Sequence, residues 1–335
     1  MKIVVDAMGG DNAPEAVVEG SIEAAGEYED IEVILTGPED RIKGLLPADR
    51  SLRERMEIID CQQVINMDEK PAKALRRKDD TSIGRAADLL HNKEAEALVS
   101  AGNTGASLAA GILKVGRISG IKRPAIATLF PSKKEPSLIL DMGANANCQA
   151  EYLPQYAIMG EIYARNILGR DNPRLGLMNV GEEKGKGNKM IDRAHELIEE
   201  DDRVNNFAGN IEGRDIFTGE YDVILCDGFV GNVILKTVEG LGDFMFDLLK
   251  DALTGDMRSK LGAFLAKNSL KKMKDEVDYR QYGGAPMLGL KGNVIISHGS
   301  SDATAIKNAV RVARETAEQN IVDIIAREIS EEGED

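Results

Sequence analysis

Tryptophan is absent from this chain, and aromatic residues make up only 4% of its 335 positions. A core must therefore be built from Val, Ile, Leu, Met and Ala, and the basic, aromatic-interleaved surface of a nucleic-acid binder is missing. Positive charge is also in deficit: 42 Lys and Arg face 57 Asp and Glu, a formal net charge of -15 that argues against nucleic acid as a partner. Cysteine is sparse, and Cys61, Cys148 and Cys226 are scattered and odd in number, which suggests neither a disulfide framework nor a zinc pattern. Reduced thiols in a cytoplasmic protein fit this usage. The three histidines, His91, His195 and His298, show no metal-ligand spacing. No apolar run approaches the ~18–20 residues of a membrane span, and Lys2 leads straight into a strand without the architecture of a signal peptide.

What the chain does have is a recurring junction, an apolar strand running into a cluster of Gly, Asn, Asp, Ser or His. It occurs at Ile3-Val4-Val5 into Asp6 to Asp11, Ala97-Leu98-Val99 into Ser100 to Gly105, and Leu138-Ile139-Leu140 into Asp141 to Asn145. It returns at Leu175 to Met178 into Asn179 to Glu183, Val223 to Cys226 into Asp227 to Asn232, and Val294-Ile295-Ile296 into Ser297 to Ser301. In α/β proteins the carboxyl ends of the strands form one rim where ligands bind, so six junctions predict one polar, Gly-lined cleft.

Between the junctions lie helical patterns, which together predict an α/β fold with a largely parallel sheet. Helices are expected over Pro14–Ala25, up to Leu90 behind a Thr81-Ser82 cap, and over Thr104–Val115, Tyr152–Leu168, Lys189–Glu200, Val233–Leu249 and about Ala303–Arg327. No linker or composition break divides residues 1–330, read here as one domain carrying a helical basic-apolar segment at about 245–277. Residues 331–335 form an acidic tail. Within that segment Arg258, Lys260, Lys267, Lys271, Lys272 and Lys274 carry no acid among them, and Leu261, Phe264, Leu265, Leu270 and Met273 recur at helical spacing. Either the stripe packs on the core of a solvated helix, or it docks something both acidic and greasy, such as an anionic membrane or an acidic carrier.

Each junction presents backbone N–H groups at a helix start, where the macrodipole also favours an anion. Ser100, Gly102, Asn103 and Thr104 form the best such turn. The loop from Gly181 to Lys189 resembles a nucleotide P-loop only superficially, since Lys186 and Gly187 are in the wrong order and no Ser or Thr follows. A loop closing over phosphate with Lys186 as its ligand fits better. His91 and His195 fall in charged helical contexts and are expected at the surface. His298 follows a strand, as a proton donor or acceptor or as the cap of the next helix. Asp6, Asp11, Asp141 and Asp227 end strands, where they can orient amides and loops or hold a cation. No nucleophile elbow is present and no Cys takes a nucleophile's place.

Read in order, Val5 to Asp11, Ser100 to Ala106, Asp141 to Asn145, Gln155 to Gly160, Asn179 to Glu183, Asp227-Gly228-Phe229 with Gly231-Asn232, and Ser297-His298-Gly299 resemble the phosphate acyltransferase family of bacterial phospholipid synthesis. Val230 stands where that family's pattern has Thr. The resemblance implies a three-layer α/β/α sandwich like that of isocitrate and isopropylmalate dehydrogenases, a homodimer, and a cytoplasmic enzyme peripherally bound to the inner face of the cell membrane. It implies transfer of a long-chain acyl group from acyl carrier protein to inorganic phosphate, without cofactor or metal. On that reading His298, Asn232 and Asp227 are catalytic. Ser100, Gly102, Asn103, Thr104, Lys186, Asp6, Asp11, Asp141 and Asn145 bind substrate and phosphate, with Asn103 or Asn232 stabilising an oxyanion. Arg258, Lys260, Leu261, Phe264, Leu265 and Lys267 dock the carrier or membrane. The alternatives are a dehydrogenase of the same fold and a non-catalytic membrane scaffold for lipid synthesis.

Overall fold

Eleven short strands, each rich in Val, Ile, Leu and Ala, form one continuous sheet in a computed structural model that describes residues 1–66, 69–277 and 283–330, with side chains for all of these except 274–277. The acidic tail expected at 331–335 lies outside the described residues. The strands are β1 (Lys2–Asp6), β2 (Glu32–Gly37), β3 (Met56–Asp60), β4 (Ala97–Ser100), β5 (Ala125–Phe130), β6 (Ser137–Leu140), β7 (Leu175–Met178), β8 (Phe207–Ile211), β9 (Val223–Leu225), β10 (Ala285–Leu288) and β11 (Asn293–Ile296). The helices begin with α1 (Glu15–Glu27), α2 (Glu39–Ile42), α3 (Arg50–Arg53), α4 (Pro71–Arg77), α5 (Ser82–His91), α6 (Thr104–Ala110) and α7 (Leu153–Asn166). They continue with α8 (Lys189–Glu199), α9 (Gly228–Thr254), α10 (Met257–Leu265), α11 (Lys267–Val277), α12 (Ala303–Glu318) and α13 (Ile321–Ser330).

Strand order is β3-β2-β1-β4-β11-β10-β5-β6-β9-β7-β8. Pairing is parallel within β3 to β11 and again within β6 to β8, but antiparallel at β11–β10, β10–β5 and β5–β6. Three successive reversals leave β6, β9 and β7 running opposite to β1, β4 and β11. The single rim expected from the sequence is therefore corrected: the six junctions emerge in two groups of three, at opposite edges of the sheet. Neither β5 nor β10 ends in one of the six junctions, so the junction pattern does not announce the reversal.

Strand residues alternate between faces, as the two-residue period requires. Val4, Leu98, Ile139, Ile224 and Ile296 share one face with α5, α6 and the inner side of α9. On the opposite face, Ile3, Val5, Val99 and Ile295 pack under α1 and α12, while Leu138, Leu140, Val223 and Leu225 pack under α7, α8 and α13. The result is the expected three-layer α/β/α sandwich. The single terminal helix foreseen over Ala303–Arg327 is instead two, because Asn320 turns into the left-handed region (φ 52) between α12 and α13.

Helix α9 is seated through its first turn. A Cβ at Gly231 would stand 1.9 Å from the Asp141 carbonyl oxygen, and one at Gly228 would stand 2.7 Å from that of Asn145. Only glycine permits this approach of helix backbone to the turn after β6. Gly240, farther along the same helix, has nothing within 4 Å of its would-be Cβ. Gly231→Ala is thus expected to lower the unfolding free energy by about 1–3 kcal/mol or more through overpacking, whereas Gly240→Ala should raise it by roughly 1 kcal/mol through helix propensity. Urea midpoints of the two variants check the contrast.

Candidate active site

At the first edge, the turns after β1, β4 and β11 interlock. Asp6 sits at the end of β1 with its carboxyl buried, and the Ser100 hydroxyl donates to its Oδ2 at 2.8 Å. Ser100 Oγ in turn accepts from the Gly102 N–H at 3.2 Å, and the Met8 N–H lies 3.3 Å from Asp6 Oδ1. Gly9 and Gly102 meet backbone to backbone, for a Cβ on Gly9 would fall 2.6 Å from the Gly102 nitrogen. The Asp11 N–H donates to the Gly299 carbonyl at 2.7 Å, and the Asn12 amide donates to the carbonyls of Ser300 and Ser301. Asn103 caps α6 by accepting from the Ala106 N–H at 3.1 Å, leaving Thr104 exposed at the helix start.

His298 stands on this edge. The Ser300 N–H and hydroxyl lie 3.2 and 2.7 Å from its Nδ1. An N–H can only donate, so Nδ1 accepts from Ser300, and the Lys236 ammonium, which likewise can only donate, faces Nε2. That nitrogen lies 3.4 Å from Lys236 Nζ and 3.9 Å from Glu239 Oε1, both on α9.

At the second edge, Asp141 organises the turn after β6. Its Oδ1 accepts from the N–H groups of Ile126 and Ala144 at 3.1 and 3.0 Å. Its Oδ2 accepts from the Asn145 N–H and side-chain amide at 2.7 and 2.9 Å. The Asn145 amide also donates to the Pro124 carbonyl and to the Tyr156 hydroxyl, so the Gln155 to Gly160 motif on α7 serves to anchor this turn. Asp227 caps α9, its Oδ1 accepting from the N–H groups of Phe229 and Val230 at 2.9 Å each. Asn232 follows on an exposed turn of α9, its Cβ facing Gly143.

The same edge carries the loop between β7 and α8. Lys186 is exposed and its Nζ pairs with Glu183 Oε2 at 2.6 Å; this hydrogen bond holds the ammonium above its ordinary value and the Glu183 carboxyl below its own. The Asn179 amide donates to the Lys186 carbonyl at 2.7 Å, and Asn188 caps α8 through the N–H groups of Met190 and Ile191.

The two edges are linked along α9. Asn232, Lys236 and Glu239 are four and then three residues apart, hence on one helix face. From Asn232 at one edge to Glu239 beside His298 at the other is a rise of roughly 10 Å, at about 1.5 Å per residue. Sequence reasoning passed over Lys236 and Glu239. The signal was their spacing from Asn232 within a strong helical pattern, and it lacked only the knowledge that this face looks toward His298.

Of the residues singled out from the sequence, Asp6, Asp141 and Ser100 are buried at 3% exposure or less, and all three have their polar atoms engaged inside the protein. They hold turns together from the interior, as does the half-buried Asn145, and the two carboxylates orient the loops around them. Asp227 is spent on capping and is 9% exposed. Thr104, Asp11, Asn232, Lys186 and His298 are exposed, with Gly102 and Asn103 half-buried beside them. His195 corrects the expectation of a surface residue, being only 7% exposed. On the outer part of the molecule, Leu261, Phe264 and Leu265 of α10 are 62, 73 and 77% exposed, alongside Arg258, Lys260 and Lys267.

The two buried carboxyls differ in what surrounds them. Burial pushes both above the ordinary carboxylate range, against the pull of their hydrogen-bond donors. At Asp6 the side-chain partners are the Ser82 and Ser100 hydroxyls, which can accept as readily as donate, while at Asp141 all four partners are N–H groups that can only donate. Asp6→Asn is therefore expected to fold with near-normal stability, its new amide donating to Ser100 Oγ. Asp141→Asn turns an –NH2 group against two N–H donors, at a cost of about 1–3 kcal/mol for each donor left unsatisfied. The raised Asp6 value also sets a sign. The native state retains a proton that the unfolded chain releases above 3.8, so this contribution is full below that pH and declines as pH rises through the folded value. Denaturation of the wild type against Asp6→Asn between pH 4 and 8 should show the variant gaining in relative stability as pH rises.

Residues 1–324 match the sequence profile of the family described as Fatty acid synthesis protein. Over 334 residues, covering all of both chains, the protein is 51% identical to a phosphate acyltransferase of Halothermothrix orenii. It is 47% identical to that of Clostridium novyi over 99% of each chain. Among solved structures, a phosphotransacetylase from Streptococcus pyogenes superimposes with a TM-score of 0.66 at 16% identity, over 95% of this chain and 94% of that one. The phosphotransacetylase EutD from Staphylococcus aureus gives 0.60 at 15% identity, with the same coverage, so these two share the fold. Matched over its whole length in this way, the chain belongs to the phosphate acyltransferase family.

Proposed function

We propose that this protein transfers a long-chain fatty acyl group from acyl carrier protein to inorganic phosphate, giving an acyl phosphate for phospholipid synthesis. Family membership supports acyl transfer to phosphate. The observation that supports the site assignment is the polar face of α9, with Asn232 against the Gly143 turn and Lys236 and Glu239 beside His298.

Phosphate is already anionic near neutral pH and needs positioning more than a strong base. In this reading Lys186 holds it, exchanging the Glu183 carboxylate for a phosphate oxygen. Asn103 and Thr104 supply N–H groups at the start of α6, that of Gly102 being held by Ser100 Oγ. A phosphate oxygen forms a bond to the thioester carbonyl carbon, and the resulting oxyanion is met by an Asn232 or Asn103 amide. Losing one such donor typically costs about two to three orders of magnitude in rate. Collapse breaks the C–S bond, and the departing thiolate takes a proton, for which the His298–Lys236 pair is the nearby donor. Asp227 contributes by capping α9 and thereby aiming Asn232. Acyl phosphates hydrolyse, so a loop that closes over the site suits the product.

The exposed apolar groups of α10, together with Leu241, Phe244, Met245 and Leu248 of α9, form a patch that solvent alone does not favour. Flanked by Arg258, Lys260 and Lys267, it suits an anionic membrane surface on the inner face of the cell and the acidic carrier protein, with the remaining apolar area available to a second copy in a homodimer. No helix among the described residues is long and apolar enough to cross a membrane.

Phosphate-dependent release of carrier thiol is the assay that tests this reading. Lys186→Ala should raise the phosphate KM by about tenfold or more, the loss of one charge-assisted hydrogen bond; unchanged KM and kcat would remove Lys186 from the site. Replacing Leu261 and Phe264 by Glu should lower co-sedimentation with anionic vesicles or turnover of the carrier-bound substrate. If both stay at wild-type level, the docking assignment fails.

A further inference from the structure

His195 is a buried titratable group that the proposed chemistry does not use. It lies on α8 at 7% exposure, with its ring set edge-on against Phe207 at a centroid distance of 5.2 Å. Its Nδ1 is 3.0 Å from Oδ1 of Asn210, itself 6% exposed on β8. The other end of that amide, Asn210 Nδ2, donates to the Glu183 carbonyl at 3.3 Å, and the same carbonyl accepts from the Lys186 N–H at 3.3 Å.

The polarity of this chain of contacts is determined by its end. A backbone carbonyl only accepts, so the Asn210 amide must point its –NH2 toward Glu183 and its oxygen toward His195. That oxygen only accepts as well, so Nδ1 carries the proton. Each member thus has one workable orientation, which specifies where the Glu183 carbonyl stands. That carbonyl is the acceptor of the turn that presents Lys186. An apolar pair of the same volume would fill the space between α8 and β8 without reaching the loop.

We propose that His195 and Asn210 are positioning residues, a buried strut that holds the Lys186 loop in the geometry needed to receive phosphate. This rests on Lys186 being the phosphate ligand, and its test separates the two ideas. Replacement of His195 by Asn keeps an amide donor close to the position of Nδ1, whereas replacement by Gln carries the amide to the position of Nε2, out of line with Asn210. Both are polar and fill much of the ring's volume, and thermal melting of each verifies folding.

His195→Asn is expected to match the wild type. His195→Gln should speed amide hydrogen exchange over residues 181–187 several-fold and raise the phosphate KM about three- to tenfold, the loss expected of one hydrogen bond, with the acyl-donor KM unchanged. Wild-type exchange across 181–187 in a folded His195→Gln overturns the strut. An equal rise in both KM values also overturns it, because the defect would then be general. Faster exchange with an unchanged phosphate KM means that the strut holds a loop that takes no phosphate. The positioning role is then lost with the Lys186 reading, which Lys186→Ala tests separately. Should His195→Gln fail to fold, Asn210→Ser, which withdraws the Glu183 contact while leaving His195 in place, carries the same expectations and the same refutations.

Discussion

The contact on which the rest of this site depends is the seating of α9 against the turn after β6. Four N–H donors lock the Asp141 carboxylate into that turn, and the turn's carbonyls then receive the first coil of α9 so closely that Gly228 and Gly231 leave no room for a side chain. Asp227 closes the same junction by capping the helix. The start and direction of α9 follow from these groups. Because a helix is rigid along its axis, so does the placement of Asn232, Lys236 and Glu239 along one face.

That rigidity matters because the sheet changes direction in its middle. Strands β10 and β5 join two parallel halves whose carboxyl ends point to opposite edges. A site made from one edge alone would have the Ser100 and His298 turns without Lys186, or the Lys186 loop without His298. Helix α9 leaves the second edge and crosses the sheet face toward the first, where its Lys236 and Glu239 meet His298. The shared apolar cluster of Val4, Leu98, Ile139 and Ile224, with Ile234, Leu235 and Val238 of α9 packed upon it, holds the helix to that path.

Polar groups in the interior divide into those that build and those that face outward. Asp6, Ser100, Asp141, Asn145, Asp227, His195 and Asn210 spend their hydrogen bonds on turns and caps. Left unpaired at such depth each would be a net cost, and paired they give each turn a single geometry. Lys186, Asn232, Lys236, His298 and Thr104 remain at the surface, where a substrate can reach them. Residue type alone does not make this division, since an Asp at the end of a strand looks the same in sequence whether it faces a ligand or a ring of backbone amides.

Much was legible before any coordinates. Apolar runs of three or four residues alternating with helical periods pointed to the α/β class, because strand and helix impose different spacings on the same apolar groups. The Gly- and Asp-rich junctions marked the turns, since φ, capping and close approach restrict which residues those positions accept, and seven ordered motifs were enough to identify the family. Tertiary structure alone decided the rest: that two antiparallel strands split the junctions between opposite edges, that the inner carboxyls are scaffold, that His195 is buried, and that Lys236 and Glu239 meet His298. The reason is physical. Spacing along a chain records which residues share a face of one element, whereas strand direction, burial and contacts between distant turns depend on how whole elements pack against each other.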